Sequence, residues 1–260
     1  MTRKPEKEIF RNDGYSDKYT TKIFQETAHE DNPYCESSVH CQGFDQLELI
    51  EHLSFSEYLF LIIRGHLPSD SESQLLNRAL IAFSNPGVRH PATRAAVASG
   101  VGKTLSPNIL PAALLVFGGE VDASGAIEPI MRFLRKVIKL STSEALKIPD
   151  LEIVGFGLHY GSEHRYLDQV CNTLIADNDT PYLQWGRQFV SESRAQGRVI
   201  GWSQTGLAAA VFCDLGIMPR FGASLYQLMA SSGLLVQGLE STNLPPTTLP
   251  FVRDEDYQID

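Results

Sequence analysis

His159 follows closely on a Gly155-Phe156-Gly157 run, and this pairing of residue types is chemically the most suggestive feature of the chain. An imidazole titrates near neutral pH and can serve as acid or base. Glycines let backbone come close to a ligand, so a histidine beside them is placed for proton transfer to a bound substrate. A loop histidine with no chemical role is the competing reading. Arg165 can clamp a carboxylate through paired N–H groups, although a solvated residue at a helix start is the plainer account. Gln204 and Thr205 can donate hydrogen bonds to a substrate carbonyl; Thr205 equally suits the N-cap of a helix beginning at Gly206. Asn85 and His90 precede a helix expected from Pro91, where loop residues can face a pocket, but Asn85-Pro86-Gly87 also reads as a simple turn. Asp122 could act as a base and is otherwise accounted for as a helix N-cap.

Other patterns fall short of a chemical signature. Gly100-Val101-Gly102-Lys103-Thr104 resembles the end of a phosphate loop, but Val97 stands where the leading glycine belongs and no strand is expected before it. His159 and His164 are five apart, a spacing that does not point two ligands the same way on a helix. Cys35 and Cys41 flank His40 with poor metal spacing, while Cys171 and Cys213 fall on apolar helical faces and read as reduced core thiols. No metal centre is expected.

The elements that would position these residues are helical. Ser54 and Glu57 form a capping-box pattern ahead of Tyr58, Leu59, Leu61 and Ile62, with Gly65 and Pro68 as the stop. Ser69 opens a helix with Leu75, Leu76, Ala79, Leu80 and Phe83 on one face. Pro91 opens one rich in alanine and glycine, which allows close helix approach. Further helices are predicted over 107–117, 124–140, 163–177, 180–196, 204–215 and 219–239. Strand and helix do not alternate, which argues against a parallel sheet. Prolines 245, 246 and 250 predict an extended tail from Leu244.

Hydrophobic residues form 43% of the 260-residue chain, enough for a sizeable core, and the net charge of −9 excludes the basic footprint of a nucleic-acid binder or an anionic-membrane docker. Met1 to Asp17 is polar, and no apolar run reaches membrane-spanning length, so a soluble, cytoplasmic protein with no membrane association is expected.

The landmarks, taken in order, resemble the citrate synthase superfamily. Gly43-Phe44 is followed by Ser54, Phe55, Glu57, Leu61, Gly65, Leu67, Pro68 and Ser69, which fit that family's early helix. Phe117-Gly118-Gly119 lies where the family has a GG turn, Gly155-Phe156-Gly157 where it has a glycine–aromatic–glycine turn, and Thr205-Gly206-Leu207-Ala208-Ala209 where a late helix begins. The similarity spans roughly residues 40 to 240. It implies an all-α, multi-helix fold with a large helical domain, a small helical cap and a short N-terminal hairpin. The implied division is an N-terminal extension over 1–40, the helical domain over 41–243 with a cap near 155–205, and an extended C-terminal arm over 244–260. It also implies a homodimer, with the arm lying across the partner.

The family's chemistry rests on two histidines and one aspartate acting on an acyl thioester. In the register implied by the resemblance, Phe117 takes the GG-turn histidine position and Thr205 the aspartate position. Leu158 takes the second histidine position, with His159 next to it. Asn85 takes an earlier histidine position, with His90 nearby, and Arg165 corresponds to a carboxylate-binding arginine. Gly155 and Gly157 would border the coenzyme A thioester, which is a substrate and not a permanently bound cofactor. Two functions follow. One is an enzyme making or breaking a C–C bond of an acyl-CoA, or another acyl thioester, in a rearranged site, with His159 and Thr205 catalytic and Asn85, His90, Phe117, Leu158, Arg165 and Gln204 binding substrate. The other is a catalytically silent homologue serving as partner subunit or ligand sensor. With Thr205 in the base position, citrate synthesis from acetyl-CoA and oxaloacetate is not expected.

Overall fold

The computed structural model describes residues 20–148, 154–176 and 178–258. The polar lead-in before residue 20 and the break expected at Pro149 lie outside these residues. Two compact units are present, one ending at Ser54 and the other beginning at Phe55.

In the first unit, β1 (Gln25–Ala28), β2 (Glu36–Cys41) and β3 (Phe44–Asp45) form an antiparallel sheet in sequential order. Gln42 and Gly43, both with positive φ, make the two-residue turn that joins β2 to β3 with matching twist. A short helix, α1 (Gln46–His52), follows directly. Asp45 caps it by accepting from the Leu47 N–H at 2.8 Å, a helix start that hydrophobic periodicity alone does not reveal because the helix is two turns long.

The second unit is helical. It comprises α2 (Phe55–Arg64), α3 (Asp70–Ala82), α4 (Pro91–Val101), α5 (Ser106–Phe117), α6 (Ile127–Val137), α7 (Thr142–Ala145), α8 (Arg165–Ile175), α9 (Pro181–Ala195), α10 (Gln204–Asp214) and α11 (Pro219–Glu240). Its only described strands are β4 (Phe156–Gly157) and β5 (Gly201–Trp202), which pair antiparallel. The predicted helices stand within two or three residues of their expected bounds; the segment expected over 124–140 opens as the 3₁₀ turn Ser124–Ala126 and its α-helix stops at Val137. Ser69 forms a complete capping box with Glu72. The stripe Ile127, Ile130, Met131, Leu134 and Val137 is buried, as the spacing demands.

The core is organised around α10. Every residue from Thr205 to Cys213 is buried, so this helix must be surrounded, and it packs against α6 and α9 with α11 beside it. Burial pushes the Cys171 and Cys213 thiols up to about 12, which keeps both protonated and inert. The small residues of α4 face α11: a side chain at Gly100 would collide with the Gly238 carbonyl, so backbone-to-backbone approach replaces side-chain packing there. The tail beyond Leu244 is not a continuous helix. It differs from a fully extended arm in carrying two 3₁₀ turns, Pro246–Thr248 and Asp254–Asp256.

Candidate functional site

The two-stranded β4–β5 pair sets the position of the glycine run. Phe156 packs on Trp202 at 4.5 Å and on Phe189 at 5.1 Å, and Trp185 stacks on Phe189. This aromatic layer anchors the floor of the turn. Gly155, at φ 87°, lies directly against Gly206 at the start of α10, where a Cβ on either would clash. Ser203 fastens the same point: its N–H and its hydroxyl both donate to the Gly155 carbonyl, at 3.1 and 3.0 Å.

Beyond Gly157 the chain makes a second tight hairpin. His159 and Ser162 exchange backbone hydrogen bonds of 2.8 and 3.1 Å, and Tyr160 and Gly161 turn the chain with positive φ. This fold-back stacks the His159 and His164 rings at 5.0 Å and 15°. The helical-spacing argument that set the pair apart does not apply, because the segment between them is a hairpin. Burial, reinforced by the neighbouring His159, holds the His164 imidazole below its ordinary pKa.

Asp122 faces this hairpin from the connection between α5 and α6. Its carboxylate Oδ2 stands 3.6 Å from His159 Nδ1, and both side chains are half-exposed. That places a carboxylate at one ring nitrogen and leaves Nε2 with no hydrogen bond among the described residues. Asp122 is not the helix cap expected from sequence. It holds φ 52°, a left-handed conformation that aspartate tolerates better than most residues, and Ala123 precedes the 3₁₀ turn instead. His90 supports this conformation. Its Nδ1 accepts from the Ala92 N–H, so its proton is on Nε2, which donates to the Asp122 carbonyl at 3.1 Å. Burial keeps His90 below its ordinary pKa, against the opposing pull of that carbonyl.

These groups border a cavity of about 850 Å³. His90, Gly155, Gly157, Leu158, His159, Gln204 and Thr205, among the residues singled out in the sequence, all line it. Thr205 does so only marginally: it is 3% exposed, and its hydroxyl donates to Ser203 Oγ at 3.0 Å. Ser203, not Thr205, is the N-cap of α10, accepting from the Gly206 N–H. Three expected site residues are elsewhere. Phe117 is fully buried between His90 and Tyr226, because it faces the core side of α5. Asn85 accepts from the Gly87 N–H and from Gln237, the turn role that its sequence allowed. Arg165 is 85% exposed and lies 3.6 Å from Glu163. His164 and Ser203 line the cavity without having been given a site role by sequence, and Asp122, which sequence offered either as a base or as a helix cap, lines it too.

No protein-family model and no curated protein matches the sequence. Solved structures do match. Citryl-CoA lyase from Hydrogenobacter thermophilus superposes with TM-score 0.73 at 22% identity, covering 93% of this chain and 94% of that one. The fold is citrate-synthase-like. Methanosaeta concilii ATP citrate lyase in complex with (3S)-citryl-CoA follows, with TM-score 0.70 and 15% identity; this chain spans 92% of its own length and 42% of that protein. Citrate synthase from Thermoplasma acidophilum, in its complex with carboxymethyl coenzyme A and oxaloacetate, superposes over 79% of this chain and 59% of that one, with TM-score 0.53 and 16% identity. Within this citrate-synthase-like fold, the turn after α5 presents Asp122 to the cavity, and not Phe117.

Proposed function

We propose that this chain makes or breaks a C–C bond next to the carbonyl of a coenzyme A thioester, with His159 as acid–base group and Asp122 as its partner. The supporting observation is the Asp122 carboxylate 3.6 Å from His159 Nδ1 at the edge of an 850 Å³ cavity, in a fold whose solved members include complexes with citryl-CoA and carboxymethyl coenzyme A. The α-proton of a thioester is weakly acidic, so its removal needs a positioned base and a donor for the developing oxyanion. His159 takes the proton on Nε2, and the Asp122 carboxylate stabilises the imidazolium that forms. Gln204 supplies an amide donor, Gly155 and Gly157 leave room for the thioester, and Leu158 is an apolar wall. Thr205 orients Ser203 and does not act as a base. Coenzyme A is carried by the substrate and is not resident.

The silent-homologue reading is favoured by one observation, the buried and hydrogen-bonded Thr205 at the start of α10, where the family resemblance expects a carboxylate. Calorimetric titration with acetyl-CoA and proton–deuterium exchange at its α-carbon, followed by NMR, separate the two. Binding with exchange supports the enzyme. Binding without exchange supports a ligand sensor, and absence of both leaves a partner subunit.

The assembly we infer is a homodimer acting in the cytoplasm. Exposed apolar side chains on α5 (Leu115, Val116) and α11 (Phe221, Leu228, Val236) support it, as do Phe251 and Tyr257 on a tail that covers little of its own chain. Free cysteines agree with a reducing compartment, and no described helix is long and apolar enough to cross a membrane. Residues 155–205, carrying α8 and α9, are the cap over the cavity.

A further inference from the structure

The charge of the cavity lining bears on the second reactant, the carbonyl compound that would be joined to, or released from, the thioester. A dicarboxylate such as oxaloacetate needs cationic or convergent polar partners for both carboxylates, because each must shed water on entering. Among the described lining residues Arg89 is the one permanent cation, and its side chain is exposed. Glu120 and Asp122 oppose it, so the carboxylates of the described lining outnumber its one permanent cation. Arg165, the other cation nearby in sequence, is outside the cavity beside Glu163. The rest of the wall is largely aliphatic or aromatic, with Val88, Val121, Ile130, Val154, Phe156 and Leu158 facing the space.

From this lining we infer that the carbonyl reactant is uncharged and aliphatic, a ketone or aldehyde, and that the complementary thioester is a β-hydroxyacyl-CoA without a carboxylate. The inference rests on the proposed thioester function. The reaction balances without a further reactant. In the joining direction a proton leaves the thioester α-carbon, that carbon bonds to the carbonyl carbon, and the carbonyl oxygen gains a proton to become the β-hydroxyl. Cleavage is the reverse. A neutral reactant brings no charge to be desolvated and is attracted by the apolar wall. A dianion meets a lining of like sign.

The test uses butanal and butanone as neutral probes and oxaloacetate as the dicarboxylate, each with the full chain and saturating coenzyme A. Saturation-transfer NMR measures binding, and mass spectrometry detects hydroxyacyl-CoA formed from acetyl-CoA. The neutral probes are expected to bind at least about tenfold more tightly than oxaloacetate. Glu120→Gln, at an exposed position that does not threaten folding, is expected to strengthen oxaloacetate binding and leave butanone unchanged. Oxaloacetate binding as tightly as the neutral probes, or no binding of either neutral probe, overturns the inference. Failure of the underlying function is read separately, as loss of coenzyme A binding or of α-proton exchange on acetyl-CoA.

Discussion

At the scale of residues, the candidate site depends on two imidazoles and a carboxylate that are far apart in the chain or wrongly spaced for a helix. His159 is half-exposed on a hairpin and contributes little to the core, so removing its ring should leave folding intact. His159→Gln is expected to lower turnover by about 10²–10⁴-fold, the range for a lost acid–base group, with an unchanged melting temperature. Unfolding of the variant would mark the residue as structural, and retained activity would move the chemistry elsewhere. His164 is the less obvious case. Its spacing from His159 gives it no role on a helix, but its stacked contact with His159 in the hairpin makes it a positioning residue. His164→Gln should cost about 10-fold or more through misplacement of the reacting ring, and His164→Phe, which keeps a stacking surface, should recover most of it. Equal losses in the two variants would rule out a stacking role.

At the scale of elements, two contacts hold the site together. Gly155 and Gly206 pack backbone to backbone, linking the glycine turn to α10. Gly206→Ala forces these apart and should cost about 1–3 kcal/mol by overpacking, measured as a lower urea midpoint. The same variant should weaken substrate binding, since the turn carries His159. The second contact is Asp214 at the end of α10, which accepts from the Tyr182 and Leu183 N–H groups at 2.8 and 3.1 Å and so caps the start of α9. Burial pushes its carboxyl up to about 7, outweighing the two N–H bonds that pull it down. The unfolded chain has an ordinary aspartate, near 3.9. Between these values the folded state holds a proton that the unfolded state has lost. The contribution of Asp214 is therefore fully present below about pH 4 and is lost as pH rises through about 7. Denaturant titrations from pH 4.5 to 8 should show this decline in the parent protein and its absence in Asp214→Asn. Parallel pH profiles for the two proteins would contradict it.

At the scale of the whole molecule, apolar surface remains on the outer faces of α5 and α11, with Leu115 83% exposed. An isolated chain gains nothing from presenting these side chains to water, and a twofold interface covers the same surface on both copies. Light scattering at micromolar concentration is expected to give about twice the chain mass of 28.8 kDa. A monodisperse monomer would refute the dimer. Leu115→Glu places a charge on the outer face of α5 and should shift the population toward monomer without unfolding the chain, because that side chain is outside the core.

Much of this architecture follows from local chemistry. Capping at Ser69, the apolar stripe of α6 and the small residues of α4 are each consequences of short-range sequence, so helix positions and the citrate-synthase-like fold were legible from residue types and their order. The position of His159 at the cavity was also suggested by sequence, because the glycines beside it mark backbone that can approach a ligand. Its partner was not. Asp122 is 37 residues earlier in the chain, and its carboxylate meets His159 only because His90 supports a left-handed turn and the β4–β5 pair carries the hairpin to it. Phe117 and Thr205 are both buried, for the same reason. Sequence order placed them near the cavity, but which face of a helix turns inward is decided by what packs on the other side. Local sequence determined the elements. The charge and chemistry of the cavity arose from long-range contacts, which exist only once α5, α10 and the two hairpins are packed together.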